Sequence, residues 1–228
     1  KTSTFNLIMR TRDPDLVWDM LQRQVGQTQA FINNFAQSEF NRIVDGFADQ
    51  DVKALKHSLK SLRNERDMLK KFRRQEMLGL KRSPTEKAIE RNTWYHLSAN
   101  SAQQYVYCLR RMLDPIKEHV DNNFNPLPDE YIKEFEPMRR RINDLMQMAQ
   151  TVIDTNRYDD YRNIMAEADT CKDDISLLRK RHIDRIQQTE NNKMLQVSLV
   201  YLNMLQESQE FLNIMRHQLR ASKKFMEN

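Results

Sequence analysis

The chain has 228 residues, with 39% hydrophobic and 30% charged side chains and a formal net charge of +5. Only 3 glycines and 6 prolines occur, so a sheet of many short strands would lack the turn residues that it needs. The two cysteines, Cys108 and Cys171, are too few for a disulfide framework or a zinc site, and we expect both to be buried thiols in a reducing compartment.

The apolar pattern predicts an all-α fold. The first long helix begins at Asp13, a favourable N-cap, and Pro14, which suits the first helical position. Apolar residues then recur every three or four positions as far as Gly46, which keeps one face apolar. A second helix follows over residues 51–80.

A third long helix is predicted to open at a capping box. The Ser83 side chain would accept the N–H of Glu86, and the Glu86 side chain would reach back to the N–H of Ser83. This helix continues to about residue 123. Its predicted apolar face consists of Trp94, Leu97, Ala102, Tyr105, Leu109, Met112 and Ile116.

A linker follows, because Pro126 and Pro128 stand too close together for a helix interior. The fourth helix begins near Asp129, the fifth runs from residue 156 or 159 to about 188, and the sixth runs from about Asn191 to the end. We therefore predict an N-terminal tail (1–12), a first three-helix bundle (13–124), a linker (125–128) and a second three-helix bundle (129–228).

An internal repeat supports this division into two tandem bundles of long antiparallel helices. The sequence IVD at 43–45 ends the first long helix, and VID at 152–154 ends the fourth. Tyr95 in the third helix has a counterpart in Tyr201 of the sixth, and the same offset aligns Leu109 with Met215. Loop lengths account for the small difference between the two offsets.

The second helix is strongly basic, with eleven Lys/Arg against four Asp/Glu over residues 51–82. It is either a solvated outer face or a surface for an acidic partner or anionic lipid headgroups, with Lys70, Lys71, Arg73 and Arg74 as the candidate residues. Nucleic acid is not expected as a partner, because acids are interspersed along the chain and no reading motif occurs. A homodimer is left open.

The helix order, together with VYLNMLQESQE at 200–210 and MRHQLRASKKF at 215–225, resembles the PhoU family over residues 13–225. Within that family, the chain resembles the PhoU-like domain at the cytoplasmic end of bacterial sodium/phosphate cotransporters. The resemblance implies a location on the cytoplasmic face of the inner membrane and a membrane transporter part, in the same or another chain, as partner. Residues 5–9 would be a juxtamembrane tail. No span of about 20 apolar residues occurs within the chain itself, but residue 1 is Lys, so a preceding membrane part is left open.

The resemblance also implies candidate site residues. PhoU proteins have an Arg-Ile-Gly-Asp-like segment in the third helix of each repeat, which RMLD at 111–114 resembles, whereas HQLR at 217–220 replaces the acid by Arg220. Some members bind metal through acid-x3-acid pairs, which implies divalent or iron ions at Asp114, Glu118, Asp169 and Asp173. Six such pairs occur, against about four expected by chance, so no cofactor is firmly expected.

No glycine-rich phosphate loop, His-x3-His pair or other catalytic constellation is recognisable, and the chain is not expected to be an enzyme. The function that these observations and the resemblance favour is a non-catalytic regulatory domain of a sodium-dependent phosphate transporter. A free-standing PhoU-like adaptor and a metal-binding helical bundle are the alternatives.

Overall fold

The computed structural model describes residues 2–227, with the side chains of residues 2–5 and 88 excluded. Seven α-helices and no strands occur in this part of the chain, so the predicted all-α fold is confirmed. The helices are α1 (Thr2–Arg10), α2 (Pro14–Ala48), α3 (Val52–Arg82), α4 (Thr85–Asp121), α5 (Asp129–Thr155), α6 (Tyr161–Gln187) and α7 (Asn192–Met226). The segment 124–128 is not helical, as its prolines predicted.

Side-chain caps fix the starts of three long helices. Asp13 accepts the N–H of Asp15 (3.0 Å) at the start of α2, and Asp51 accepts the N–H of Ala54 (3.1 Å) at the start of α3. Asn191 accepts the N–H of Lys193 (2.9 Å) at the start of α7. Each of these contacts satisfies a backbone donor that the helix leaves unpaired.

The predicted capping box at residues 83–86 is wrong. The Ser83 hydroxyl donates to the carbonyl of Gly79 (3.0 Å) and therefore finishes α3. The residue before α4 is Pro84, which makes no side-chain cap. A serine one position beyond a helix end lies four residues from an unpaired carbonyl, and this partner competes with the N–H of the following helix.

The predicted apolar face of α4 is correct from Ala102 onward and wrong before it. Leu97 is 44% exposed and Trp94 is only half-buried, whereas Tyr95 is 1% exposed. Tyr95 packs with Trp18, Leu80 and Phe225 in a small cluster at one end of the molecule. The ring of Phe225 comes from the far end of the chain, so the local periodicity of α4 could not indicate this contact.

Helices α2, α3 and α4 pack on one another, and so do α5, α6 and α7. The two groups meet where α4 packs along α7 and α2 packs along α5. Buried residues from α2 to α7 form one continuous hydrophobic cluster. Helices α3 and α6 are the outer helices, since α3 contacts only α1, α2 and α4, and α6 contacts only α5 and α7 within residues 2–227.

The predicted N-terminal tail is instead a short helix docked on the first group. Helix α1 contacts α2 and α3, and its Ile8 is 1% exposed. Arg82 at the end of α3 donates to the backbone carbonyls of Met9 and Thr11. Part of the proposed juxtamembrane segment, namely the side chain of residue 5, lies outside the described residues, as does residue 1.

The seam between α2 and α5 is polar. Asn41 and Asn143 exchange side-chain hydrogen bonds of 2.8 and 3.0 Å, and Gln37 donates to the Asn143 side chain at 3.2 Å. Asn33, which is fully buried, donates to the carbonyl of Met146 at 3.2 Å. Paired amides of this kind fix the register between two helices, because any shift would leave buried polar groups without partners.

Tyr95 and Tyr201, which the sequence repeat aligned, have similar surroundings. Both are buried, and both hydroxyls donate to a glutamate, Glu76 for Tyr95 (3.1 Å) and Glu134 for Tyr201 (2.9 Å). The glutamate comes from α3 in the first case and from α5 in the second. The two aligned positions therefore share a chemical environment, although different helices provide it.

Candidate functional site

The outer side of α3 carries a line of basic side chains, here called the basic face. Its members recur at alternating steps of three and four residues, with gaps only at positions 67 and 77, so they lie on one side of the helix. All of them are exposed. The line extends for about 42 Å along the helix and consists of Lys53, Lys56, Lys60, Arg63, Lys70, Arg74 and Lys81.

The acids of α3 do not neutralise this face, because two of the three are turned inward. Glu65 is 7% exposed and Glu76 is 6% exposed, and both face the core. Only Asp67 is exposed, and it pairs with Arg66 at 3.4 Å. Within residues 2–227, no ion pair forms at any residue of the basic face. The surface of α3 is thus more positive than its sequence alone indicates.

The four basic residues that the sequence singled out have different roles. Lys70, Lys71 and Arg74 are exposed. Arg73 is half-buried, donates to the side chain of Asn100 at 3.2 Å and lies 3.4 Å from Nδ1 of His96 on α4. Partial burial and the nearby Arg73 lower the pKa of His96. Arg73 therefore helps to join α3 to α4, and the other three are available to a partner.

A shallow cleft of about 570 Å³ lies within the basic face. Lys70, Arg74 and Lys81 line it together with the apolar side chains of Met77 and Leu78. A larger cleft of about 680 Å³ lies where α2 meets the ends of α5 and α7, but it combines Asp19 and Asp154 with Arg23. Of these two clefts, only the smaller has charged side chains of a single sign, and it places apolar surface among the cations.

Helix α6 provides an internal comparison, since it is the outer helix of the second group. It has six Lys/Arg against five Asp/Glu, whereas α3 has eleven against three. Its acids also pair across helices, as Asp174 does with Arg141 (2.6 Å) and Asp169 with Arg216 (3.2 Å). An outer position in this fold therefore does not require a basic helix, and the charge of α3 needs a separate explanation.

The candidate metal ligands are not assembled into a site. Asp114, Glu118, Asp169 and Asp173 are all exposed. Asp114 pairs with Arg110 on its own helix at 3.3 Å, and Asp169 pairs with Arg216. Among the described residues, no three His, Cys, Asp or Glu side chains are placed to hold a metal ion together. The structure thus gives these four carboxylates no shared geometry.

The buried titratable groups do not form a reactive centre. Burial raises the pKa of Cys108 well above its usual value and that of Cys171 to about 11, so both thiols are protonated and unreactive at neutral pH. Burial also raises the pKa of Glu76 to about 7, against the opposing hydrogen bonds from Thr28 and Tyr95. Sequence reasoning did not single out Glu76, because only the packing of α3 shows that this carboxyl is buried.

The described helices include none that combines the length and the apolar character of a membrane span. No protein-family model and no curated protein sequence matches this chain. The basic face of α3 is the feature of the described residues that departs most from what the fold itself requires.

Proposed function

We propose that this chain is a non-catalytic regulatory domain that docks through the basic face of α3, and that the process it regulates is sodium-dependent phosphate transport. The docking role is supported by the asymmetry between the two outer helices. Helix α3 carries seven exposed cations in one line that form no ion pair with other described residues, and α6 at the corresponding position is almost neutral. A row of unpaired cations attracts an acidic surface over long range.

The phosphate-transport part of the proposal rests on the resemblance of residues 200–210 and 215–225 to the last helix of PhoU-like domains. The shared surroundings of Tyr95 and Tyr201 are compatible with the internal duplication of that family. The buried, protonated thiols and the scattered carboxylates favour a role in binding over one in catalysis. In this proposal the domain lies at the cytoplasmic side of the inner membrane and biases a transporter part by contact.

The test is charge reversal of exposed residues that have no structural partner. The variant Lys70→Glu/Arg74→Glu/Lys81→Glu is introduced in place of the native chain, and sodium-dependent uptake of radiolabelled phosphate is measured after growth on scarce and abundant phosphate. We expect uptake to lose its response to phosphate supply, because each reversal replaces an attraction to the docking surface by a repulsion. Arg73 is left unchanged, since it joins α3 to α4.

A matched control carries the same change of charge on the other outer helix. The side chains of Arg162, Lys180 and Arg181 on α6 are exposed and make no ion pair within the described residues, so their reversal to Glu leaves the basic face intact. Uptake in this control should still respond to phosphate supply. The proposal is wrong if the α3 variant and a deletion of the chain both leave uptake and its response unchanged.

A further inference from the structure

We propose that the surface to which the basic face binds is the anionic headgroup layer of a lipid bilayer, with α3 lying flat on it. The inference rests on the proposed role of this face in docking and names its partner. A planar sheet of negative charge matches a line of cations that extends about 42 Å along the outermost helix.

The residue types favour lipid over an acidic protein. Five of the seven residues of the basic face are lysines, and the remaining two are Arg63 and Arg74. Lysine is depleted in protein–protein interfaces, where arginine and aromatic residues predominate, because its flexible ammonium group is strongly hydrated. Headgroup layers need no fixed geometry, and each lysine or arginine close to an anionic surface contributes roughly a fivefold gain in binding.

The apolar side chains of the face fit the same partner. Leu78 is 44% exposed and lines the cleft between Arg74 and Lys81. A leucine among lysines can enter the boundary between headgroups and acyl chains while the ammonium groups remain at the phosphates. The exposed Val52 occupies a similar place at the other end of the line, next to Lys53.

The position of α3 in the fold permits the flat contact. Within the described residues, its neighbours are α1, α2 and α4, and the seven side chains of the basic face remain exposed beside them. The two buried acids, Glu65 and Glu76, face away from this surface, so α3 itself presents almost no negative charge to the headgroups. Asp67 is the single exception, and its partner Arg66 offsets it.

The experiment is flotation of the 228-residue chain with vesicles of pure phosphatidylcholine and with vesicles that contain about 30% phosphatidylglycerol. We expect binding only to the anionic vesicles, and we expect it to fall steeply as salt rises from about 50 mM to about 500 mM. The variant Lys70→Glu/Arg74→Glu/Lys81→Glu should bind about 100-fold more weakly, because three fivefold contributions are lost. Leu78→Ser should weaken binding by several fold without removing its salt dependence.

The control is the α6 variant Arg162→Glu/Lys180→Glu/Arg181→Glu, whose net charge changes by the same amount. Its binding should stay within about threefold of the unchanged chain, since α6 faces away from the bilayer in this arrangement. Circular dichroism and the urea midpoint of each variant show that the fold is intact. Equal losses in the α3 and α6 variants would overturn the proposal, because net charge alone would then explain the binding.

Two other results separate this inference from the proposed function. Absence of binding to anionic vesicles, with phosphate uptake still dependent on the α3 residues, would overturn the lipid as partner and leave an acidic protein surface in its place. Binding to a duplex of about 30 base pairs in preference to the vesicles would also overturn it, in favour of nucleic acid. If vesicle binding depends on the α3 residues but phosphate uptake in cells does not, the results would support lipid as the partner and reject the transport role.

Discussion

At the scale of single residues, Glu76 is a carboxyl that is only 6% exposed. Its carboxyl lies between α2, α3 and α4, where it accepts hydrogen bonds from the hydroxyls of Thr28 and Tyr95, both 3.1 Å long. Burial disfavours the charged form and raises the pKa from 4.5 to about 7. The Tyr95 hydroxyl also lies 3.5 Å from the backbone carbonyl of Arg73, so it joins α4 to two residues of α3.

This pKa predicts how the stability of the fold depends on pH. The unfolded chain releases the Glu76 proton near pH 4.5, and the folded chain keeps it until about pH 7. The folded state therefore holds more protons between these values, and the free energy of unfolding should fall as pH rises from 4.5 to about 7, and then level off. The shift corresponds to at most about 3 kcal/mol, which urea unfolding at about pH 5 and about pH 8 would measure.

The variant Glu76→Gln isolates this contribution. Its amide can donate to the Thr28 oxygen when the Thr28 hydroxyl donates instead to the carbonyl of Gln24, 3.0 Å away. We expect Glu76→Gln to be more stable than the unchanged chain at about pH 8 by roughly 2–3 kcal/mol and to differ little at about pH 5. An equally steep pH dependence in Glu76→Gln would show that another group is responsible.

At the scale of helices, two glycines of α2 differ in the space around them. A Cβ at Gly46 would lie 2.6 Å from Cδ2 of Leu55 and 2.9 Å from its Cγ, because α3 approaches α2 closely just beyond the turn. A Cβ at Gly26 would meet only the terminal methyl of Met226, at 3.3 Å. The first contact involves a fully buried core side chain, whereas the second involves the end of a flexible one.

We therefore expect opposite effects from one substitution at two positions of the same helix. Gly46→Ala should lower the free energy of unfolding by about 1–3 kcal/mol, since the core must shift to accept the methyl group. Gly26→Ala should change it little or raise it by up to about 1 kcal/mol, since alanine favours the helix. Urea unfolding of both variants measures the difference. Equal effects would mean that helix propensity and not the contact with Leu55 decides the outcome.

The helices also show which features the sequence could predict. Periodicity and caps predicted the long helices to within a few residues, because Asp13, Asp51 and Asn191 act on backbone groups two or three positions away. The same local reasoning was wrong at Ser83, where two helix ends compete for one hydroxyl. It was also wrong at Tyr95, which is buried by a residue from α7. Rules based on neighbouring residues cannot predict contacts with residues that lie far along the chain.

The candidate site was only partly predictable for the same reason. A count of charges identified the basic second helix, but the candidates chosen from the sequence were the adjacent cations of residues 70–74 and not the full line along one side of the helix. The burial of Glu65 and Glu76 depends on how α3 packs against α2 and α4, so the sequence could not show that the outer surface loses these two acids. The role of Arg73 in joining α3 to α4 was likewise not predictable, because it depends on contacts with Asn100 and His96 of another helix.

At the scale of the whole molecule, the linker divides the sequence into two groups of helices, but the two groups share one hydrophobic core. The hydrophobic cluster runs without a break from α2 to α7, and α4 packs along α7. Arg111 of α4 pairs with Glu207 of α7 at 2.8 Å, and Cys108 of α4 donates to the backbone carbonyl of Glu207. Neither group can open without exposing apolar surface of the other.

This continuity predicts that the two groups unfold together, and the chain carries its own probes for the test. Cys108 lies in α4 and Cys171 in α6, and both thiols are buried and protonated. Both should become reactive to a thiol reagent over the same range of urea, as expected for one cooperative transition. The variants Cys108→Ala and Cys171→Ala assign the signal of each cysteine. If Cys171 reacts at lower urea than Cys108, then the second group opens on its own and the shared core contributes less to cooperativity than its area indicates.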